Sequence, residues 1–87
     1  MTDPLDGTYE ILTKRDHLVM VIKGNAGTVT SEDSDGDKVQ RLVKIDKRKQ
    51  ELTITDDEGR EIGKTKYMLK DKELYLQEPN QTFSRVK

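Results

Sequence analysis

Apolar and polar positions alternate in short runs along this chain, and a turn signal closes each run. In 8–12, Tyr9 and Ile11 share one face of an extended segment. The run 18–23 is the most apolar: Leu18, Met20 and Ile22 alternate against Val19 and Val21. A strand apolar on both faces is central or covered. The segment 28–31 is β-branched and extended, with Val29 inward. Val39, Arg41, Val43 and Ile45 then share one face of a longer strand. Leu52 and Ile54 point inward from 51–55. Ile62 belongs to a polar strand over 60–66 and is counted with the inward side chains, with Tyr67 and Leu69 continuing the strand or forming a second half. Leu74 and Leu76 face inward from a short strand, and 82–86, with Phe83, closes the chain.

The breaks between these runs have a backbone reason. Stretches 14–17, 46–50 and 78–81 are polar, the last carrying Pro79, which has no N–H for a ladder. Gly24-Asn25-Ala26-Gly27 and Asp56-Asp57-Glu58-Gly59 tolerate positive φ. Asp35-Gly36 is a hairpin dipeptide, and Asp71-Lys72 is a two-residue turn. No window repeats apolar residues at i, i+3, i+4 and i+7 through three turns; a short helical turn near 3–6 is the one local exception expected. Breakers at intervals of roughly 8–12 residues predict an all-β sandwich or barrel. The reading is a single antiparallel meander of about 7–8 short strands. A meander leaves two open edges, and pairing the first strand with the last removes both. The expected fold is therefore a small closed or nearly closed barrel spanning 1–87 as one domain, with 1–6 a short lead-in.

Composition changes the picture in one respect. Hydrophobic residues are 31% of 87 and charged residues 38%, with a net charge of −1. So polar a chain invites disorder, but disorder pairs low hydrophobicity with large net charge and lacks such patterning. The near-zero charge also gives no general attraction to nucleic acid or to an anionic membrane. No stretch approaches the roughly 20 apolar residues of a membrane span. Without cysteine there is no disulfide, thiolate nucleophile or Cys-type zinc site. Residues 1–6 hold no basic segment and no apolar run. The chain as written is expected in the cytoplasm, and exported or lipid-anchored if an export signal has been removed.

Gly7-Thr8-Tyr9 opens the first strand and Thr82-Phe83-Ser84-Arg85 ends the last. This arrangement resembles the lipocalin-like (calycin-type) barrels, and the small bacterial domains among them, whose first strand opens Gly-x-Trp and whose end supplies an arginine. Position 9 here is tyrosine. The resemblance implies a barrel end closed by Gly7, Tyr9 and Arg85, the guanidinium stacked on the ring.

Candidate chemistry is sparse. Asp33, Asp35 and Asp37 alternate carboxylates that suit calcium, yet EF-hand positions 6 and 12 would be Lys38 and Lys44, so an Asp-Gly turn with solvated neighbours is the favoured reading. His17 is the sole histidine and reads as a loop residue. Asp56, Asp57 and Glu58 sit in an exposed turn, where nothing raises a carboxyl pKa for acid–base work. Arg41, Lys44, Lys47, Arg48 and Lys49 form the one basic concentration, without the interleaved aromatics of a single-strand nucleic-acid site. Strict alternation turns Arg41 inward, where it must be paired or must sit at the barrel mouth. Tyr75 falls opposite the Leu74/Leu76 face and near Met68, so Arg41, Met68 and Tyr75 are the candidate interaction residues.

These readings predict a protein that is not an enzyme and needs no cofactor or metal. Eight strands leave an interior just wide enough for side chains or one small ligand, and enough inward apolar residues are present to fill it. Function is therefore expected on the outer face, as an inhibitor or adaptor that binds another protein. The alternative is a lipocalin-like binder of a small apolar ligand inside the barrel.

Overall fold

The structure, a computed structural model, describes residues 4–78 and 80–87. Eight antiparallel strands follow one another: β1 (Gly7–Leu12), β2 (Asp16–Lys23), β3 (Ala26–Asp33), β4 (Lys38–Asp46), β5 (Glu51–Thr55), β6 (Glu61–Lys70), β7 (Glu73–Leu76) and β8 (Gln81–Arg85). Each pairs with the next, and β8 returns to β1 through Tyr9↔Arg85 and Glu10↔Ser84, closing the barrel. The seam is extended by Val86 N–H donating to Thr8 O at 2.8 Å and Thr8 N–H donating to Lys87 O at 3.2 Å. Closure satisfies the edge groups that an open meander would expose.

The up-and-down course gives the barrel two unlike ends. Pairs such as Gly7↔Ile22 and Asp46↔Glu51 lie at one end, with the lead-in from Pro4 and with Lys87. Leu12↔His17, Glu32↔Lys38 and Leu76↔Gln81 lie toward the other. Tyr9, Met20, Ile22, Val43, Leu52, Leu74 and Phe83 are wholly buried, and Leu5, Ile45, Tyr67 and Leu76 nearly so. Ile11, Leu18, Val29 and Ile54, nearer the second end, are only partly buried. Of the buried polar groups, Thr65 is tied down on both sides: its hydroxyl donates to Lys66 O (3.1 Å) and accepts from Glu78 N–H (2.7 Å).

Several expectations are corrected. Asp16 and His17 belong to β2, not to a turn, because Thr13 Oγ1 caps a tighter reversal by accepting from the Arg15 and Asp16 N–H groups. Ala26 and Gly27 belong to β3; the turn is Gly24-Asn25 alone. Gly27 is needed for proximity rather than reversal, since a Cβ there would lie 2.1 Å from Val21 O. Of the two readings left open for the 60–69 region, one continuous strand is found, β6 (Glu61–Lys70). Ile62 does not face inward: it is 55% exposed, because it shares its parity in β6 with the exposed Lys64, Lys66 and Met68, opposite the buried Thr65 and Tyr67. The register shift between Ile54↔Gly63 and Thr55↔Glu61 leaves Ile62 without a partner on β5. The lead-in is not passive, since Leu5 is core. Met1, Thr2 and Asp3, with the start of the helical turn expected over 3–6, lie outside the described residues, as does Pro79 of the expected 78–81 turn.

Candidate functional site

The first end of the barrel is plugged. The Arg85 guanidinium lies over the Tyr9 ring, its central carbon 5.2 Å from the centroid. Its Nη2 donates to Tyr9 Oη at 2.6 Å, to Asp6 O at 3.0 Å and to Pro4 O. The Tyr9 hydroxyl donates onward to Leu5 O at 2.7 Å, and Asp6 Oδ1 accepts from Gly24 N–H at 2.8 Å. The lead-in is thereby laced across the end. Gly7 permits the crossing: a Cβ at that position would meet Lys87 O at 2.7 Å and Arg85 Nε at 3.1 Å. Gly7, Tyr9 and Arg85 thus form one cluster.

The other end is open. A cavity of about 300 Å³ enters the barrel there. Leu18, Met20, Val29, Ile54 and Phe83 supply its apolar walls, and Ser31, Gln81 and Arg41 its polar groups. Met20 and Phe83 form its floor, since both are wholly buried and both also belong to the core. This corrects the expectation of a filled interior. Inward side chains suffice in number, but the larger ones pack toward the plugged end, and the strands near the mouth contribute Val29, Ser31, Val39 and Arg41.

No family model matches the chain, and no curated protein matches it. Solved structures do. A lipocalin lipoprotein affecting virulence in Streptococcus pneumoniae is 27% identical, with a TM-score of 0.75 over 100% of this chain and 94% of that one. A protein assigned as a lipoprotein from Streptococcus pneumoniae is 26% identical, with a TM-score of 0.79 over 98% of this chain and 94% of that one. The chain is a lipocalin-like barrel.

The lipocalin-like barrel separates the residues expected to act together outside it. Met68 and Tyr75 are register partners on the outer face of β6 and β7, and Met68 is 56% exposed. The Tyr75 hydroxyl donates to Glu73 Oε1 at 3.1 Å, a bond that, with the carboxylate charge, pushes the phenol pKa up. Arg41 is not beside them: it pairs with Val29 and lines the cavity. The basic concentration is likewise divided, with Arg41 inside and Lys47, Arg48 and Lys49 in the β4–β5 turn at the plugged end.

The acidic segments are built as turns. Asp33 Oδ1 accepts from Asp35 N–H (2.9 Å) and Asp37 N–H (3.0 Å), so one of the three clustered carboxylates already orders its own loop. Asp56 does the same, accepting from Glu58 and Arg60 N–H at 2.9 Å, while its Oδ2 takes the Arg60 Nε at 3.0 Å. The Arg60 backbone bond is the main cause holding the Asp56 carboxyl below its ordinary value, and the Arg41 charge adds to it. His17 Nε2 lies 3.0 Å from Glu10 Oε2 across β1 and β2, half exposed.

Proposed function

We propose that this lipocalin-like barrel binds one small, largely apolar molecule in the cavity at its open end. The observation that carries the reading is the 300 Å³ space between Leu18, Val29, Ile54 and Phe83. That volume lies at the small end of the range for ligand pockets, about 300–1,000 Å³. An apolar wall interrupted by a few polar groups is the usual composition of such sites. Likeness to a lipocalin lipoprotein over the full chain supports the same reading, and it supports an exported, lipid-anchored setting over a cytoplasmic one. The reading involves no chemical step.

Differential thermal melts against panels of fatty acids, alcohols and apolar dyes test it. A ligand at 100 times its Kd stabilises the folded state by about 2.7 kcal/mol. Val29→Trp, which fills the cavity, should abolish the shift without unfolding the chain. No shift with any compound would refute the proposal. A second reading, a protein partner docking on the outer face, draws on the exposed Met68 and Tyr75 lying side by side above a shallow hollow of about 250 Å³. Tyrosine often anchors such contacts. Capture of a partner that is lost with Tyr75→Ser would favour it.

A further inference from the structure

The cavity contains a group that a purely apolar guest would leave unused. Arg41 is half buried, and it is the charged residue of the cavity lining among those described. A guanidinium offers five N–H donors in a fixed fork. Here one hydrogen bond is made, from Nη1 to Gln40 O at 3.3 Å, close to the limit of such contacts.

One carboxylate that feels the Arg41 charge is Asp56. It is already engaged by two backbone N–H groups and by Arg60, so it leaves the guanidinium fork unfilled. The Arg41 stem follows the β4 alternation between Val39 and Val43, both on the inner face, which brings the head to the mouth side of an apolar chamber. A long cationic side chain placed this way keeps its carbons on apolar surface and its charge at the water boundary. Ser31 and Gln81 add neutral hydrogen-bonding groups to the same chamber.

We propose that the ligand is a single-chain amphiphile with an oxyanion head, a carboxylate or a phosphate monoester, whose tail enters the barrel and whose head is held by Arg41. The inference rests on the ligand-binding reading above. Planar bidentate recognition of oxyanions is what distinguishes arginine from a simple point charge. The cavity limits the tail. At ~30 Å³ for each water-sized group, it accepts about ten heavy atoms, so a medium chain fits and a long one leaves its end in solvent.

Isothermal titration of the full chain with octanoate, octyl phosphate and octanol tests the assignment, on the native protein and on Arg41→Gln and Arg41→Lys. All three ligands carry the same tail. At least one of the anions should bind the native protein more tightly than octanol, by on the order of tenfold to a hundredfold, the range of a charge-assisted hydrogen bond. Arg41→Gln should erase that preference, so that on this variant the anions bind no more tightly than octanol does. Arg41→Lys should retain only part of it. Octanol binding as well as both anions would overturn the role of Arg41 and leave the apolar cavity reading intact. So would an anion preference unchanged in Arg41→Gln. Failure of all three to bind would overturn both.

Discussion

Cutting the contact between Arg85 and Tyr9 tests how the plugged end is held. In Arg85→Met the stem packing survives while the guanidinium is lost. Three donations leave with it: to Tyr9 Oη, to Asp6 O and to Pro4 O. So does the charge over the ring. A hydrogen bond from a charged group contributes about 1.5–3 kcal/mol net, and a cation over an aromatic face about 0.5–2 kcal/mol. These do not add. The donations share one nitrogen, and Arg85 Nε is buried with no hydrogen-bond partner, which offsets part of the gain. A net loss of about 2–3 kcal/mol is expected, a large share of the roughly 4–13 kcal/mol available to a chain of this size. At about 4–8 °C per kcal/mol for a domain of this length, Tm should fall by ~10–20 °C. Tyr9→Phe keeps the ring and removes the hydroxyl that links Arg85 to Leu5 O. Urea melts of both single variants and the double variant then give a coupling energy, expected at about 1–2 kcal/mol. Additive losses, within about 0.4 kcal/mol, would refute the idea that hydroxyl and guanidinium act as one latch.

Gly27→Ala should lower the urea midpoint far more than Gly24→Ala. Its new methyl must displace the Val21 carbonyl, whereas Gly24 has open space and only its φ of 67° to defend. Ile62→Thr should change stability by no more than about 0.5 kcal/mol, while Leu52→Ala costs about 2–5 kcal/mol; equal losses would place Ile62 in the core. The Asp56 carboxyl is held below its ordinary 3.8 in the folded state, so its stabilisation is complete above that value. That stabilisation should disappear as pH falls through the lower folded value, and Asp56→Asn should narrow the gap to the native protein below about pH 3.8 in urea titrations. A gap that widened instead would reverse the sign of the argument.

Strand number and order were legible because alternation and turn residues act locally, and in a meander each local hairpin is also the tertiary contact. Tyr9 and Arg85 were legible as a pair only through the likeness at the two chain ends, because they lie 76 positions apart. Ile62 was misread because an apolar residue in a polar run was counted inward although its parity is opposite to that of Tyr67 and Leu69 in the same strand. His17 was misread because a polar run can be a turn or an exposed strand, and the choice belongs to the Thr13 hydroxyl. The cavity was missed for a different reason. A count of inward residues ignores where along the axis each one sits, and the mouth receives Ser31 and Val39 where the plugged end receives Tyr9 and Ile22. Arg41 could be placed on the inner face from spacing; that it meets no carboxylate of its own among the described residues required the coordinates.

An even number of strands returns the chain to the end from which it started, so the lead-in and Lys87 leave the barrel together, opposite the open cavity. The molecule therefore works like a cup with its handle on the base. Anything joined through Pro4 or Lys87, whether a tether, a surface or a neighbouring domain, is attached at the base, on the side away from the rim.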